Sequence, residues 1–260
     1  MQNRYVGDIG DFGKYALLGA IARGLKLGVV WYLAPDEPDT LDGKHIRYLN
    51  LDPVVLRRYG LRGYRKGTVA KNQRLADCDS ALYGKLRGIV SRYARHVREI
   101  RRRGICPPGT EFYEETLQQG KRSEWLAEAC QAMRSRDIVF LDPDNGVSIA
   151  NKSPKHASLD EIRRFFDGGR RSLIIYHHSG RSIDGKGMKV DEQARHWKRE
   201  LSRTLAISAD PDVWALRYHR GTSRIYFIIS APKHRSTLQA NLKSFLNTCW
   251  VDREHFSPLN

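Results

Sequence analysis

Cysteine is scarce and scattered: Cys78, Cys106, Cys130 and Cys249 are the only four in 260 residues, and no two form a CxxC pair. That spacing excludes a zinc knuckle and offers no disulfide framework. Reduced, largely buried thiols in the cytoplasm are the expectation. No apolar stretch reaches the length a membrane crossing needs, and the opening residues MQNRYVGDIG lack the apolar centre of a signal peptide. A cytoplasmic protein without a membrane partner follows. Acidic residues are also few: 29 Asp and Glu stand against 45 Lys and Arg, a formal charge of +16. Such an excess concentrates phosphate around the chain and points to nucleic acid, RNA or DNA, as partner. No segment repeats and none is of low complexity.

What is present is a core's worth of apolar residues, 40% of the chain, enough for one large domain. GDFGKYALLGAIARGLKLG reads as a helix with Asp11 as its N-cap and Tyr15, Leu18, Ile21, Ala22 and Leu25 on one face. VVWYLA follows as a strand buried on both sides. From Leu82 to Arg103, Leu86, Val90, Tyr93, Val97 and Ile100 recur at helical steps, with Lys85 and seven arginines on the other faces. This predicts one basic helix within a largely helical insertion at about residues 50–110. Beyond it, helices and strands alternate: SEWLAEACQAMRSR, DIVFL, LDEIRRFFDGG, SLIIYHH, DEQARHWKRELSRTL. The chain then closes with VWALRYH, the tight RGTS, RIYFIIS and a last helix. The expected fold is a single α/β domain over residues 1–260 with a mixed sheet and a C-terminal β-hairpin at its edge.

The strand DIVFL ends on Asp142-Pro143-Asp144-Asn145-Gly146, and SLIIYHH ends on His177 and His178. Asp, Pro, Asn and Gly are turn residues, but open α/β sheets also bind ligands beyond the carboxyl ends of their strands. Two neighbouring strand ends this polar carry more than one turn requires. The basic helix contains a single acid, Glu99, so pairing along the helix does not account for its arginines. Arg92, Arg95, Arg98 and Arg102 are therefore candidate phosphate contacts, which set affinity and not sequence choice.

An acid and a proline closing an apolar strand resemble the Asp-Pro-Pro-Tyr signature of N6-adenine methyltransferases. Four further stretches are similar to one subgroup, the large-subunit ribosomal-RNA adenine-N6 methyltransferases: GDIGDFGKYALL, WYLAPDE, IIYHH, and RGTSRIYFIISAPKHRSTLQANLKSFL. About half the chain is covered, in order. The resemblance implies a Rossmann-like methyltransferase fold and S-adenosylmethionine as cofactor, with Lys14, Tyr15 and Asp36 near it. It also implies transfer to an exocyclic amine of a base, with Asp142 and the Pro143 carbonyl accepting the amino protons, and with Asp144, Asn145 and His177 completing the site. The chain departs from the pattern twice. APDEPDTLDG stands where a glycine-rich turn belongs, and Asp144 and Asn145 replace the second proline and the stacking aromatic.

The acids allow a different chemistry. Asp8, Asp142 and Asp144 could hold Mg²⁺ in a phosphodiester-cleaving site, with His177 or His178 as general base. A third possibility is a nucleic-acid-binding relative of the methyltransferases without catalysis.

Overall fold

Asp8 starts the first helix. The chain turns helical at the next residue, α1 (Ile9–Ile21), because Asp8 Oδ1 accepts the Gly10 N–H at 2.8 Å. Asp8 is thus the cap in place of the expected Asp11, which instead reaches back from the first turn to the Gly7 N–H, 3.0 Å. The strand β1 (Leu27–Trp31) follows, buried at all five positions. Helices α2 (Pro53–Arg58), α3 (Thr68–Ala76), α4 (Ser80–Ser91) and α5 (Arg98–Arg102) come next. After β2 (Glu111–Tyr113) and α6 (Arg122–Ala132) the chain runs through β3 (Ile138–Asp142), β4 (Gly146–Ser148), β5 (His156–Ser158), α7 (Leu159–Phe166) and β6 (Ser172–His178). A small ribbon, β7 (Ser182–Ile183) and β8 (Lys186–Gly187), precedes α8 (Val190–Leu205) and α9 (Ala209–Asp212). Then come β9 (Val213–Tyr218), β10 (Arg224–Ile229), α10 (Arg235–Leu246), α11 (Cys249–Asp252) and β11 (Phe256–Leu259).

This is a computed structural model, and it describes residues 1–35, 43–65, 67–118, 120–150, 153–180, 182–183 and 186–259. Among them, no helix is long and apolar enough to cross a membrane. The four cysteines are free thiols, Cys106 buried and the others half-buried.

Contacts divide the chain into two compact units. One comprises Gln2–Gly19 and Pro35–Cys106 and holds α2 to α5. The helix expected from Leu82 to Arg103 is two helices here. α4 ends in a Schellman-type bond from Ala94 N–H to Ile89 O at 3.1 Å, with Tyr93 left-handed at φ 57°.

The other unit, Met1, Ala20–Ala34 and Pro107–Asn260, is α/β. Its seven-stranded sheet has the order β11-β9-β10-β6-β3-β1-β2. β2, β1, β3 and β6 are parallel neighbours, while β10, β9 and β11 join antiparallel. The β9–β10 hairpin forms as expected but is not at the edge, because β11 pairs outside β9. On one face, Trp125 and Ala129 of α6, Ile162 and Phe165 of α7, and Trp197 and Leu201 of α8 close over Val139, Leu141, Ile175 and Phe227. Each of the branched aliphatic and phenylalanine side chains among them contributes roughly 1.5–3 kcal/mol by burial. α7 is bracketed by a capping box, Ser158 with Glu161, and by Asp167, which leaves the helix left-handed at φ 52°, ahead of Gly168 and Gly169, both at positive φ.

Candidate functional site

The parallel register decides which strand ends meet. Trp31 of β1 lies opposite Asp142, and Leu141 of β3 lies opposite Ile175 of β6. The carboxyl ends of β1, β3 and β6 therefore stand side by side, bringing Asp142, Pro143 and His177 to one edge. Asp142 is 3% exposed and His177 is 5%.

After β3 the chain turns through Pro143, Asp144 and Asn145, and β4 comes back over β6. Gly146 has φ 97°, and a Cβ on it would stand 2.4 Å from His177 Nδ1 and 2.7 Å from His177 Cα. The next residue, Val147, donates its N–H to His177 Nδ1 at 3.1 Å. An imidazole accepting at Nδ1 carries its proton on Nε2, so His177 is a donor there, not the general base expected. Burial, aided by the neighbouring His178, pushes its pKa down to about 3, so the ring is neutral at ordinary pH. Both His177 Nε2 and Gln193 Oε1 are buried without a partner at hydrogen-bond geometry. Gln193 is itself pinned, its amide nitrogen donating to Gly180 O at 2.6 Å and Met188 O at 3.0 Å. His178 is half-buried, its pKa lowered first by burial and then by Arg224.

Asp144 faces Met1. Its Oδ1 lies 2.6 Å from the Met1 ammonium, which also donates to Tyr32 O at 2.8 Å. Ala34 N–H donates back to Met1 O at 2.9 Å. Asn145 is exposed, its backbone N–H donating to Lys155 O at 2.8 Å. Of the five residues expected to form the site, four gather at this edge and the Asn145 side chain points to solvent.

The remaining candidates lie in the other unit. Lys14 is buried and paired with Asp11 Oδ1 at 2.9 Å, and Tyr15 is 2% exposed. Asp36 lies outside the described residues. Asp8 uses Oδ1 on Gly10 N–H and Oδ2 on His45 N–H, 3.2 Å, so both oxygens serve the backbone. Among the described residues no three His, Cys, Asp or Glu side chains gather as a metal site.

The arginines divide. Arg95 turns inward: Nε donates to Val6 O at 2.6 Å and Nη2 to Gly43 O at 2.7 Å, and burial lowers its pKa. It holds the unit together and is not offered to phosphate. Arg102 is exposed but forked onto Glu99 at 2.7 and 2.6 Å, with Arg103 on the same carboxylate at 3.0 Å. That pairing, which the sequence argued against, holds the Glu99 carboxyl down at about 2. Arg92 and Arg98 are exposed.

No protein-family model matches the chain, and no curated protein matches it.

Sequence reasoning missed two residues near the carboxyl edge. Gln193 had no signal beyond a position early in α8. Glu114, half-buried directly after β2, follows a strand of three residues, too short to register as periodicity. One arrangement elsewhere looks catalytic and is not. Ser172 Oγ is 3.0 Å from His234 Nδ1, and His234 Nε2 is 3.6 Å from Asp137. Ser172 is fully buried and accepts the Ala231 N–H at 2.9 Å, so the chain of three clasps β6 to the turn before α10.

Proposed function

We propose that this chain is a nucleic-acid-binding protein related to the Asp-Pro-Pro-Tyr methyltransferases, with the Asp142–Pro143 corner receiving the exocyclic amine of a base. One observation carries this: a carboxylate buried at the carboxyl end of the central parallel strand, flanked by the ends of β1 and β6. An amine offers two N–H donors, and this corner offers a side-chain carboxylate and a main-chain carbonyl as acceptors. His177 and Gly146 hold the corner in place by fixing the returning loop. The mixed sheet that contains the β9–β10 hairpin is compatible with the architecture the resemblance implies, and the charge of +16 supplies long-range attraction for polyanions.

S-adenosylmethionine does not fit the described residues of this edge. The cofactor needs backbone it can approach at the end of the first strand, which glycine provides. Here Tyr32 O and Ala34 N–H are bonded to Met1, and Leu33 O accepts Leu117 N–H at 2.8 Å. The first glycine beyond, Gly43, is filled by its own unit, since a Cβ there would meet Arg4 O at 2.4 Å. The proposed role is therefore recognition of the base.

The test is equilibrium binding of adenine-rich and uracil-rich single-stranded oligonucleotides to the wild type and to Asp142→Asn, with thermal denaturation of both. Asp142→Asn should fold normally and lose about tenfold or more in affinity for the amine-bearing oligonucleotide alone, the scale of one hydrogen bond to a charged group. Equal affinity of both proteins for both oligonucleotides overturns the proposal. Stabilisation by S-adenosylmethionine in the same melts would favour methyl transfer instead.

A further inference from the structure

At the opposite edge of the sheet, α6 and α7 both end beside a groove of about 540 Å³, within the range that ligand sites occupy. Arginine dominates its lining. Arg134 follows α6, Arg163 and Arg164 lie in the last turn of α7, and Arg171 immediately precedes β6, against the single carboxylate of Asp167. The four guanidiniums are not equally available. Arg171 is 5% exposed and caps α7, donating to Phe165 O at 2.6 Å and Arg164 O at 3.1 Å. Arg163 is paired with Asp160 at 2.7 Å. Arg134 and Arg164 are exposed, and their guanidiniums have no hydrogen bond or ion pair among the described residues. The field of Arg164 and Arg171 reaches into the groove: burial raises the Cys130 thiol pKa, and these two guanidiniums pull it back.

A solvated charged face normally intersperses its signs. Here Arg163 and Arg171 already face carboxylates, Asp160 at 2.7 Å and Asp167 at 3.6 Å, which leaves the charges of Arg134 and Arg164 on the concavity opposed unless an anion lies between them. Charged and polar side chains make up most of the lining, which suits a polar occupant. We propose that this groove binds the phosphodiester backbone of a nucleic acid, with Arg134 and Arg164 contacting phosphate and Arg171 fixing the groove wall. The inference extends the function proposed above to a second place on the same unit. Arg171 and His177 stand at opposite ends of β6, roughly 20 Å apart at the usual rise per residue. The two sites would hold different stretches of one ligand: this one by charge, the Asp142 corner by base.

The experiment compares the wild type with Arg134→Glu/Arg164→Glu, Arg134→Gln/Arg164→Gln and Asp142→Asn. Each is titrated with a labelled single-stranded oligonucleotide across a salt series, and separately with inorganic phosphate followed by thermal shift. Losing two phosphate contacts should lower the slope of log affinity against log salt by about 1.4 or more in both double variants. Asp142→Asn should keep the wild-type slope. Inorganic phosphate alone should shift the melting temperature of none of them. An unchanged slope in the folded glutamine variant overturns the inference. So does stabilisation by phosphate that the double variants lose while oligonucleotide binding persists, which would assign the groove to a small phosphate compound. If the double variants lose slope but Asp142→Asn binds every oligonucleotide normally, the groove stands and the base-amine reading falls.

Discussion

At Gly146 two separate demands meet in one residue. Its φ of 97° disfavours any side chain, and the His177 ring and backbone occupy the space a Cβ would take. Gly146→Ala should therefore cost about 2 kcal/mol or more, the sum of backbone strain and a forced shift of His177. Chemical denaturation measures it. His177 itself makes stability depend on pH. Its folded pKa of about 3 lies below the unfolded value of about 6.5, so between those values the unfolded chain binds more protons. The stabilisation is complete above about pH 6.5 and is lost as pH falls toward 3, by up to about 1.4 kcal/mol per pH unit. His178, His219, His234 and His255 are shifted in the same direction, so the contribution of His177 must be isolated. His177→Asn keeps an acceptor for Val147 N–H without a titrating ring. Denaturant midpoints from pH 7 to pH 4 should fall less steeply for it than for the wild type. At this scale the sequence was informative about Asp142, because an acid and a proline ending an apolar run are visible in one dimension. It was uninformative about the proton of His177, which is set by an N–H thirty positions away in the chain.

Among the elements, the break between α4 and α5 shows where periodicity misleads. Leu86, Val90, Val97 and Ile100 are all buried and keep helical spacing across a stretch that is not helical. No glycine or proline lies between residues 91 and 97, so nothing marked the stop. The left-handed residue is Tyr93, stacked under Arg58 with the guanidinium carbon 4.4 Å from the ring centre. Leaving the helix lets Arg95 turn inward to Val6 and Gly43. Arg95→Gln should cost about 1–3 kcal/mol, since two main-chain carbonyls lose a charged donor. Arg92→Gln, at an exposed position, should stay within about 0.5 kcal/mol. Urea unfolding of the two variants gives the comparison. The long parallel strands were legible because a short, continuous apolar run between turn residues suits a strand covered on both faces. β2, β4, β5 and β11 were not, each being three or four residues long and fixed by its neighbours.

For the molecule as a whole, composition carried the inference that fold could not. A charge of +16 predicts that affinity for any polyanion, heparin included, falls by about 10²–10³ between low and moderate salt. Fluorescence anisotropy at two ionic strengths checks it, and a flat response would mean the charge only keeps the protein in solution. The α/β class followed from alternating elements, whereas the grouping of Gln2–Gly19 with Pro35–Cys106 did not. It joins residues on either side of β1, and composition does not change at its boundaries.

The strand β11 has one more consequence. A sheet that stops at an unpaired strand offers a row of N–H and C=O groups to any passing chain, the template from which aggregates grow. β11 covers β9 on that side and carries Pro258, paired opposite Leu216, where a ladder donor is missing. On the far side β2 is only three residues long. Among the described strands the sheet is blunted at both margins, so this arginine-rich protein can reach high local concentration without stacking onto itself.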